Sequence, residues 1–210
     1  MAIIISSSAT KQFKPVPPGM YLARCYRMIE MGTQTDQYGS KQKIMLQFEI
    51  HGEDDEGMPL VMDTGAPMSI SKKYTATMFE KGTLSKDLEA WRGSSFTAEE
   101  RAKFDIERVL GAWAMISVAK KKTESGDDIT VIANINPVPA AVKKVGLPAG
   151  FNELQSLNLD KPDNKILETL SSKLQEKILS SPEWMAIKSA KKSNPATDFD
   201  ALEEFSDDPF

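Results

Sequence analysis

Alternation of apolar and polar side chains dominates the first third of the chain and predicts β-strands. In residues 20–29 the alternation places two sets of side chains on opposite faces: Leu22, Arg24, Tyr26 and Met28 on one, and Tyr21, Ala23, Cys25 and Arg27 on the other. Residues 43–51 repeat the pattern, with a shared face formed by Ile44, Leu46, Phe48 and Ile50. Residues 60–70 are expected to form a third strand. The polar segments 32–40 and 53–57 are predicted to be turns.

The spacing of apolar residues becomes helical in the middle of the chain. Residues 72–91 carry apolar side chains at helical intervals, namely Met78, Phe79, Leu84, Leu88 and Trp91. Thr97 to Glu100 has the order of a capping box, so a short helix is expected to begin there. Trp91, Phe96 and Phe104 form an aromatic cluster that is expected to hold this helical region against the sheet.

Strand-like alternation returns after Gly111. Two further strands are predicted at residues 113–119 and 129–135, and a polar hairpin at 120–128 joins them. Pro137 and Pro139 are expected to end the sheet. An amphipathic helix then carries Leu167, Leu170, Leu174 and Ile178 on one side, and the following Ser181-Pro182 is typical of another helix start.

This order of elements predicts a mainly β fold with helical additions, of the α+β class. Three strands, a helical insert and two strands match a five-stranded OB-fold barrel, with the insert between strands 3 and 4. A C-terminal helix and a disordered tail follow. We expect four parts: an N-terminal arm at 1–17, an OB-fold domain at 18–140, a helical extension at 141–193 and an acidic tail at 194–210.

Composition excludes several protein classes. Of the 210 residues, 40% are hydrophobic and 27% are charged, as in ordinary globular proteins. No apolar run reaches membrane-spanning length, so no membrane partner is expected. A single cysteine, Cys25, rules out an internal disulfide and is consistent with a cytoplasmic location. Because the chain has one cysteine and one histidine, His51, a Cys/His zinc site is not expected, and we predict no cofactor.

The net charge of −4 hides an uneven distribution. From Asn194 onward the chain has six acidic residues and no lysine or arginine. The rest of the chain therefore has 26 basic and 24 acidic residues, a net charge of +2. A weakly basic body is compatible with nucleic-acid binding.

Basic and aromatic side chains are interleaved on the polar strand faces and loops. Binding of single-stranded DNA without sequence preference needs cations for the phosphates and flat rings for the bases. The alternative for any one residue is a solvated surface charge or, for Tyr26, a place in the core. We predict that the set forms a DNA groove made of Arg24, Tyr26, Arg27, Tyr38, Lys41, Lys43, Lys72, Lys73, Tyr74, Arg92, Lys120, Lys121 and Lys122.

The last 13 residues alternate acidic side chains with phenylalanines and end in Asp-Asp-Pro-Phe. Such a segment cannot bury enough apolar surface to fold alone. A terminal phenylalanine offers its ring and its carboxylate to a basic pocket with an apolar floor. This ending resembles the tip of bacterial single-stranded-DNA-binding proteins, which recruits replication and repair enzymes. The resemblance implies partner binding by Phe205, Asp207, Asp208, Pro209 and Phe210.

The body resembles a family of phage single-stranded-DNA-binding proteins with an OB fold. The matching stretches are residues 18–25, 47–50, 88–93 and 96–100, then Phe104-Asp105 and Leu110-Gly111. Together they cover roughly residues 18–140. Bacterial proteins of this kind usually have a long Gly/Gln/Pro-rich linker before the tip, whereas here a predicted helix is followed by a short polar segment. The tail is therefore expected to have a shorter reach.

These observations predict a non-catalytic protein that binds and protects single-stranded DNA during replication, recombination and repair. Its expected location is the cytoplasm, that of the host cell if the chain is phage-encoded. Formation of a homo-oligomer stays open. One alternative is an adaptor whose OB barrel binds a replication protein instead of DNA. A second is a retroviral-type aspartic protease, because Asp63-Thr64-Gly65-Ala66 follows an apolar segment, although helices are predicted where that fold needs β-strands.

Overall fold

The structure is a computed structural model that describes residues 15–37 and 39–193, without the side chains of residues 190–193. The acidic tail, Tyr38 and all but the last three residues of the expected N-terminal arm lie outside the described residues. Predictions that fall on them stay predictions.

Six strands form one sheet, and β1 is its central strand. Their bounds are β1 Gly19–Asp36, β2 Gly39–His51, β3 Ser69–Thr75, β4 Trp113–Lys122, β5 Asp128–Asn136 and β6 Gln155–Leu157. Five of them follow the order β3-β2-β1-β4-β5, with antiparallel neighbours. In the described part of the chain β3 and β5 do not pair, so the sheet is open. The prediction of a mainly β fold with helices is confirmed.

The two edges of β1 are used differently. One edge pairs with β2 along nearly its whole length. The other edge pairs antiparallel with β4 at residues 19–24 and parallel with β6 at residues 27–29. The C-terminal extension is therefore hydrogen-bonded into the sheet.

The helices belong to two groups. The insert between β3 and β4 contains α1 Thr83–Arg92, α2 Ala98–Ala102 and a 3₁₀ helix at Ile106–Val109. The extension contains α3 Ala140–Val145, α4 Asn164–Glu168, α5 Ser172–Leu179 and α6 Pro182–Ser193. Helix α1 lies against both β3 and β5, the strands at the two ends of the sheet. The predicted capping box is present: Thr97 Oγ1 accepts from the Glu100 amide at 3.2 Å, and a Glu100 carboxylate oxygen accepts from the Thr97 amide at 2.8 Å.

The sheet has an apolar core on each face. On the face that we call inner, Ala23, Phe48 and Ile116 are fully buried, and the Phe48 ring lies 5.5 Å from that of Trp91 in α1. On the outer face, a second core joins Ile29, Met31 and Met45 of β1 and β2 to side chains of the extension, namely Leu157, Leu159, Leu167, Leu170, Leu174 and Ile178. The extension thus covers part of the outer face.

A β-bulge changes which residues of β1 share a face. The register shifts between Cys25 and Arg27, so one extra residue is inserted there. Met28 therefore packs in the inner core with Cys25, whereas Arg27 lies opposite Gln47 of the outer face. The predicted shared face of Arg24 and Met28 is wrong, because strict alternation fails at a bulge.

The third strand begins later than predicted. Residues 60–68 form a loop instead, closed by a tight turn in which the Met62 amide donates to the Ala66 carbonyl at 2.7 Å. Gly65 has a φ of +79°, a conformation that favours glycine. Lys72 and Tyr74 lie in strand β3, whereas the apolar spacing predicts a helix there. Within residues 72–91, the helix begins only at Thr83.

Two other boundaries also differ from the predictions. The predicted turn at 32–40 is mostly strand, because β1 continues to Asp36 and β2 begins at Gly39. The predicted amphipathic helix is divided into α4 and α5, although its four apolar residues are all buried in the second core. No helix among the described residues is both long and apolar enough to cross a membrane.

Candidate nucleic-acid interface

A buried carboxylate organises the outer face where β1 and β2 meet the extension. Glu49 is 0% exposed, and five nitrogen atoms lie within 3.1 Å of its oxygens. These are Arg24 Nε at 2.9 Å, His51 Nε2 at 3.1 Å, the Phe151 amide at 3.0 Å, and the amide and Nδ2 of Asn152 at 2.8 and 2.7 Å. One carboxylate therefore ties two strands to the loop before β6.

Glu49 is held in its ionised form. Burial alone would raise the pKa of Glu49, but the hydrogen bonds from Asn152, His51 and Phe151 outweigh burial and keep the pKa below its ordinary value. The resulting negative charge neutralises Arg24. Arg24 also donates to the Asn152 carbonyl, and its guanidinium occupies the place that a Cβ on Gly150 would take. Arg24, predicted to contact DNA, is instead committed to the protein's own loop.

Two other predicted residues of β1, Tyr26 and Arg27, contact each other and neighbouring side chains of the sheet. Tyr26 is 6% exposed, and burial raises the pKa of its hydroxyl. The Arg27 guanidinium lies 5.4 Å from the Tyr26 ring centroid and donates to Gln47 Oε1 at 3.4 Å. In this arrangement Tyr26 has no open face on which a base could stack.

Lys72 and Tyr74 face the helical insert. One carboxylate oxygen of Asp87 in α1 contacts both residues: Lys72 Nζ lies 2.7 Å from it, and the Tyr74 hydroxyl donates to it at 2.9 Å. Tyr74 is 3% exposed, and burial together with the Asp87 charge raises its pKa. These two residues join the edge strand to α1 and are not part of an open groove.

The remaining predicted cations are accessible but lie on different elements. Lys41 and Lys73 are exposed on β2 and β3, and the half-buried Lys43 lies 3.5 Å from Asp36 and donates to Thr75 Oγ1 at 3.1 Å. The β4–β5 hairpin carries three exposed lysines, Lys120, Lys121 and Lys122. The predicted set therefore does not form one continuous groove.

Arg92 lies apart from both groups, at the end of α1. It pairs with Glu100 at 2.7 Å and its guanidinium lies 4.8 Å from the Phe96 ring centroid. The exposed Arg92–Glu100 contact holds the pKa of Glu100 at about 2.

An open pocket of about 700 Å³ lies beside Arg92 in the helical insert. Its walls include the apolar side chains Leu88, Trp91, Phe96, Phe104 and Val109, and the cations Arg92, Lys103 and Arg108, together with Glu99 and Glu100. Trp91 also donates from Nε1 to the Trp113 carbonyl at 2.8 Å. The aromatic cluster thus joins the insert to β4, as expected, and leaves beside it a cavity whose rim carries both cations and carboxylates.

The structure also shows candidate interface residues that the sequence pattern did not indicate. Lys177 of α5 lies near Lys73, and the partial burial of the Lys73 ammonium, followed by the charge of Lys177, lowers the pKa of Lys73. Trp113 and His51 meet edge to face with ring centroids 4.8 Å apart, and Phe151 is 60% exposed next to Glu49. Trp113 precedes the buried Ala114, so alternation along β4 could have identified it as outward-facing. Nothing in the sequence marks Phe151, which lies in an irregular loop.

Asp63 is exposed in the tight turn between Met62 and Ala66. In the retroviral arrangement two chains contribute one carboxylate each, and the aspartic-protease alternative stays a prediction. Within the described ranges, no cluster of three or more His, Cys, Asp or Glu side chains is arranged to hold a metal ion.

Comparison with protein-family models and with curated proteins gives no match for this chain.

Proposed function

We propose that the chain binds single-stranded DNA without sequence preference through an OB-type barrel, and so protects it during replication, recombination and repair. The observation that carries this proposal is the strand order β3-β2-β1-β4-β5, with a helical insert between β3 and β4. An OB fold is a five-stranded, partly open barrel. An opening between β3 and β5, with α1 against both strands, is compatible with that description.

The DNA path that we propose runs along the border of the part of the sheet that the extension covers. OB folds bind oligonucleotides on the face of strands 2 and 3 and on the loops after strands 1 and 4. On this chain those places carry exposed lysines, Lys41 and Lys73 on β2 and β3, and Lys120 to Lys122 at the β4–β5 hairpin. Next to Lys73 the outer side chains Gln47, Ser69 and Ser71 are polar, whereas Met45, opposite Lys73, belongs to the second core. Lys177 extends this basic surface onto α5.

A fluorescence titration tests the proposal. The full chain is titrated with oligo-dT and with a duplex of equal length at several salt concentrations. We expect tighter binding of the single strand, weakening as salt rises because phosphate contacts release counterions. Equal affinity for the two DNAs, or no binding, would rule the proposal out.

We further propose that the acidic end of the chain recruits replication or repair proteins. Its six carboxylates also compete with DNA for exposed lysines. Deletion of residues 207–210 is therefore expected to leave DNA affinity unchanged or increased while partner binding is lost. Weaker DNA binding after the deletion would contradict this role.

A second candidate is a protein-interaction adaptor. The burial of Tyr26 and Tyr74 favours it, because the strand face then offers few rings for bases. The pocket with an apolar wall and the cations Arg92, Lys103 and Arg108 suits an acidic peptide that contains an aromatic side chain. If this candidate holds, the chain binds no oligo-dT, but it binds a labelled acidic phenylalanine-containing peptide that Arg108→Glu weakens. Absence of peptide binding would remove this candidate.

A further inference from the structure

We propose that Phe151, together with Trp113 and His51, forms a base-stacking site of the single-stranded-DNA surface, so that the C-terminal extension itself contributes to nucleic-acid binding. This inference rests on the proposed function and deepens it, because it assigns a place to the bases. The predicted stacking tyrosines Tyr26 and Tyr74 are buried and do not supply that place.

The backbone that presents Phe151 is fixed. Its amide donates to Glu49 Oε1 at 3.0 Å, and the next amide, of Asn152, donates to Glu49 Oε2 at 2.8 Å. The preceding residue, Gly150, packs so closely against the Arg24 guanidinium that no Cβ would fit there. A ring held by such a loop loses little conformational entropy when a ligand binds to it, which favours binding.

The Phe151 side chain is nevertheless 60% exposed. Because most of the Phe151 side chain faces water, its burial contributes little to stability. The arrangement is what a flat ligand requires, because base–aromatic stacking needs an open π face.

Two further aromatic rings lie around the same carboxylate. His51 Nε2 donates to Glu49 Oε1, the oxygen that also accepts from the Phe151 amide. The His51 ring in turn meets the Trp113 ring at 4.8 Å. Both side chains are partly exposed. The Phe151 backbone and the His51 ring thus meet at one carboxylate oxygen, and Trp113 contacts His51, on the outer face of β1, β2 and β4.

The local charge is mixed, because the turn after His51 exposes Glu53, Asp55 and Glu56, and Glu153 is exposed two residues after Phe151. Arg24 neutralises Glu49, so the buried carboxylate does not repel an anion. Helix α3, which leads into the loop, exposes Lys143 and Lys144, and neither has an ion-pair partner among the described residues. These α3 lysines are the cations that we assign to the phosphates on this side of the site.

The test uses the full chain with substitutions at two phenylalanines of similar exposure. Phe151 is 60% exposed, and Phe79, in the loop before α1, is 63% exposed and serves as the control. Affinity for fluorescent oligo-dT is measured for Phe151→Ala, Phe151→Leu, Phe151→Trp and Phe79→Ala at three salt concentrations. Circular dichroism confirms folding, and sedimentation gives the oligomeric state.

We expect Phe151→Ala and Phe151→Leu to raise Kd about 5- to 150-fold, the equivalent of one stacked base at roughly 1–3 kcal/mol. The salt dependence stays unchanged because no cation is removed. Phe151→Trp keeps a flat ring and binds like the parent chain, and Phe79→Ala stays within about twofold.

Two outcomes overturn the stacking site alone. One is parent-like DNA affinity of Phe151→Ala. The other is a change in oligomeric state that accounts for any loss of affinity, which would make this face a contact between protein copies. Failure of the parent chain to bind oligo-dT overturns the proposed function and the stacking site together, so the two failures are distinguishable.

Discussion

Arg24 and Glu49 form an ion pair between neighbouring strands, with Nε 2.9 Å from Oε1, and the Glu49 side chain is fully buried. The carboxylate also receives two backbone amides of the loop at 151–152. The pair therefore joins the sheet to the extension, and its loss should affect both.

Glu49→Gln is expected to lower the free energy of unfolding by about 3 kcal/mol, because Arg24 keeps its charge without a buried partner. Urea denaturation of the full chain measures the loss. The control is Glu100→Gln, which breaks the exposed pair with Arg92 and should change stability much less. An equal loss in the two variants would contradict the structural role of Glu49.

The contribution of Glu49 should depend on pH. Its pKa in the folded state lies below the ordinary value of 4.5, so its stabilisation is fully present above about pH 4.5. It is lost as the pH falls through the folded-state pKa, because the folded protein must then take up a proton against these hydrogen bonds. The stability difference between the parent chain and Glu49→Gln should therefore shrink from pH 5 to pH 3. A constant difference over this range would show that Glu49 does not titrate in this way.

Replacement of Lys120, Lys121 and Lys122 by alanine tests the hairpin as a phosphate contact. We expect weaker oligo-dT binding. The slope of the logarithm of the binding constant against the logarithm of the salt concentration should fall in magnitude by about 2, because each of three phosphate contacts on a single strand contributes roughly 0.7. A triple alanine variant at Lys161, Lys165 and Lys173 has the same net charge and exposes the same side-chain type on the extension. Equal effects of the two triple variants would indicate a general charge effect instead of a site.

Tyr74→Phe separates a structural from a DNA-stacking role for this tyrosine. The hydroxyl donates to Asp87 at 2.9 Å, so its removal should cost about 1 kcal/mol of stability while Lys72 still pairs with Asp87. DNA affinity should not change, because the ring is buried. A loss of DNA affinity at unchanged stability would restore Tyr74 to the binding surface.

Much of the fold could be predicted because burial follows side-chain alternation. Phe48 and Ile50 are buried as their pattern indicates, and the β4–β5 hairpin exposes its lysines as a polar connection should. The bulge after Cys25 could not be predicted, because no residue there demands it and it reverses the faces that follow. Apolar spacing does not mark where a strand ends, so the pattern predicts a helix for Lys72 and Tyr74, which lie in β3.

The candidate site was harder to predict for a different reason. Whether Arg24 contacts DNA or protein depends on a loop 126 or more positions away in the sequence, and pairing at such separation leaves no local pattern. The exposed position of Phe151 could not be predicted for the same reason, because the contact of its backbone with the distant Glu49 sets that position. Charged strand positions alone do not reveal which charges are already neutralised.

One edge of β1 pairs with both β4 and β6, and this arrangement affects how the molecule unfolds. Because residues 27–29 pair with β6 and the second core rests on Ile29, Met31 and Met45, β1 cannot detach from the extension without losing its own neighbours. A chain cut after residue 140 would leave this strand edge bare and its apolar side chains in water. The sheet and the extension should therefore behave as one cooperative unit, and amide hydrogens of β1 and β6 should exchange with solvent together.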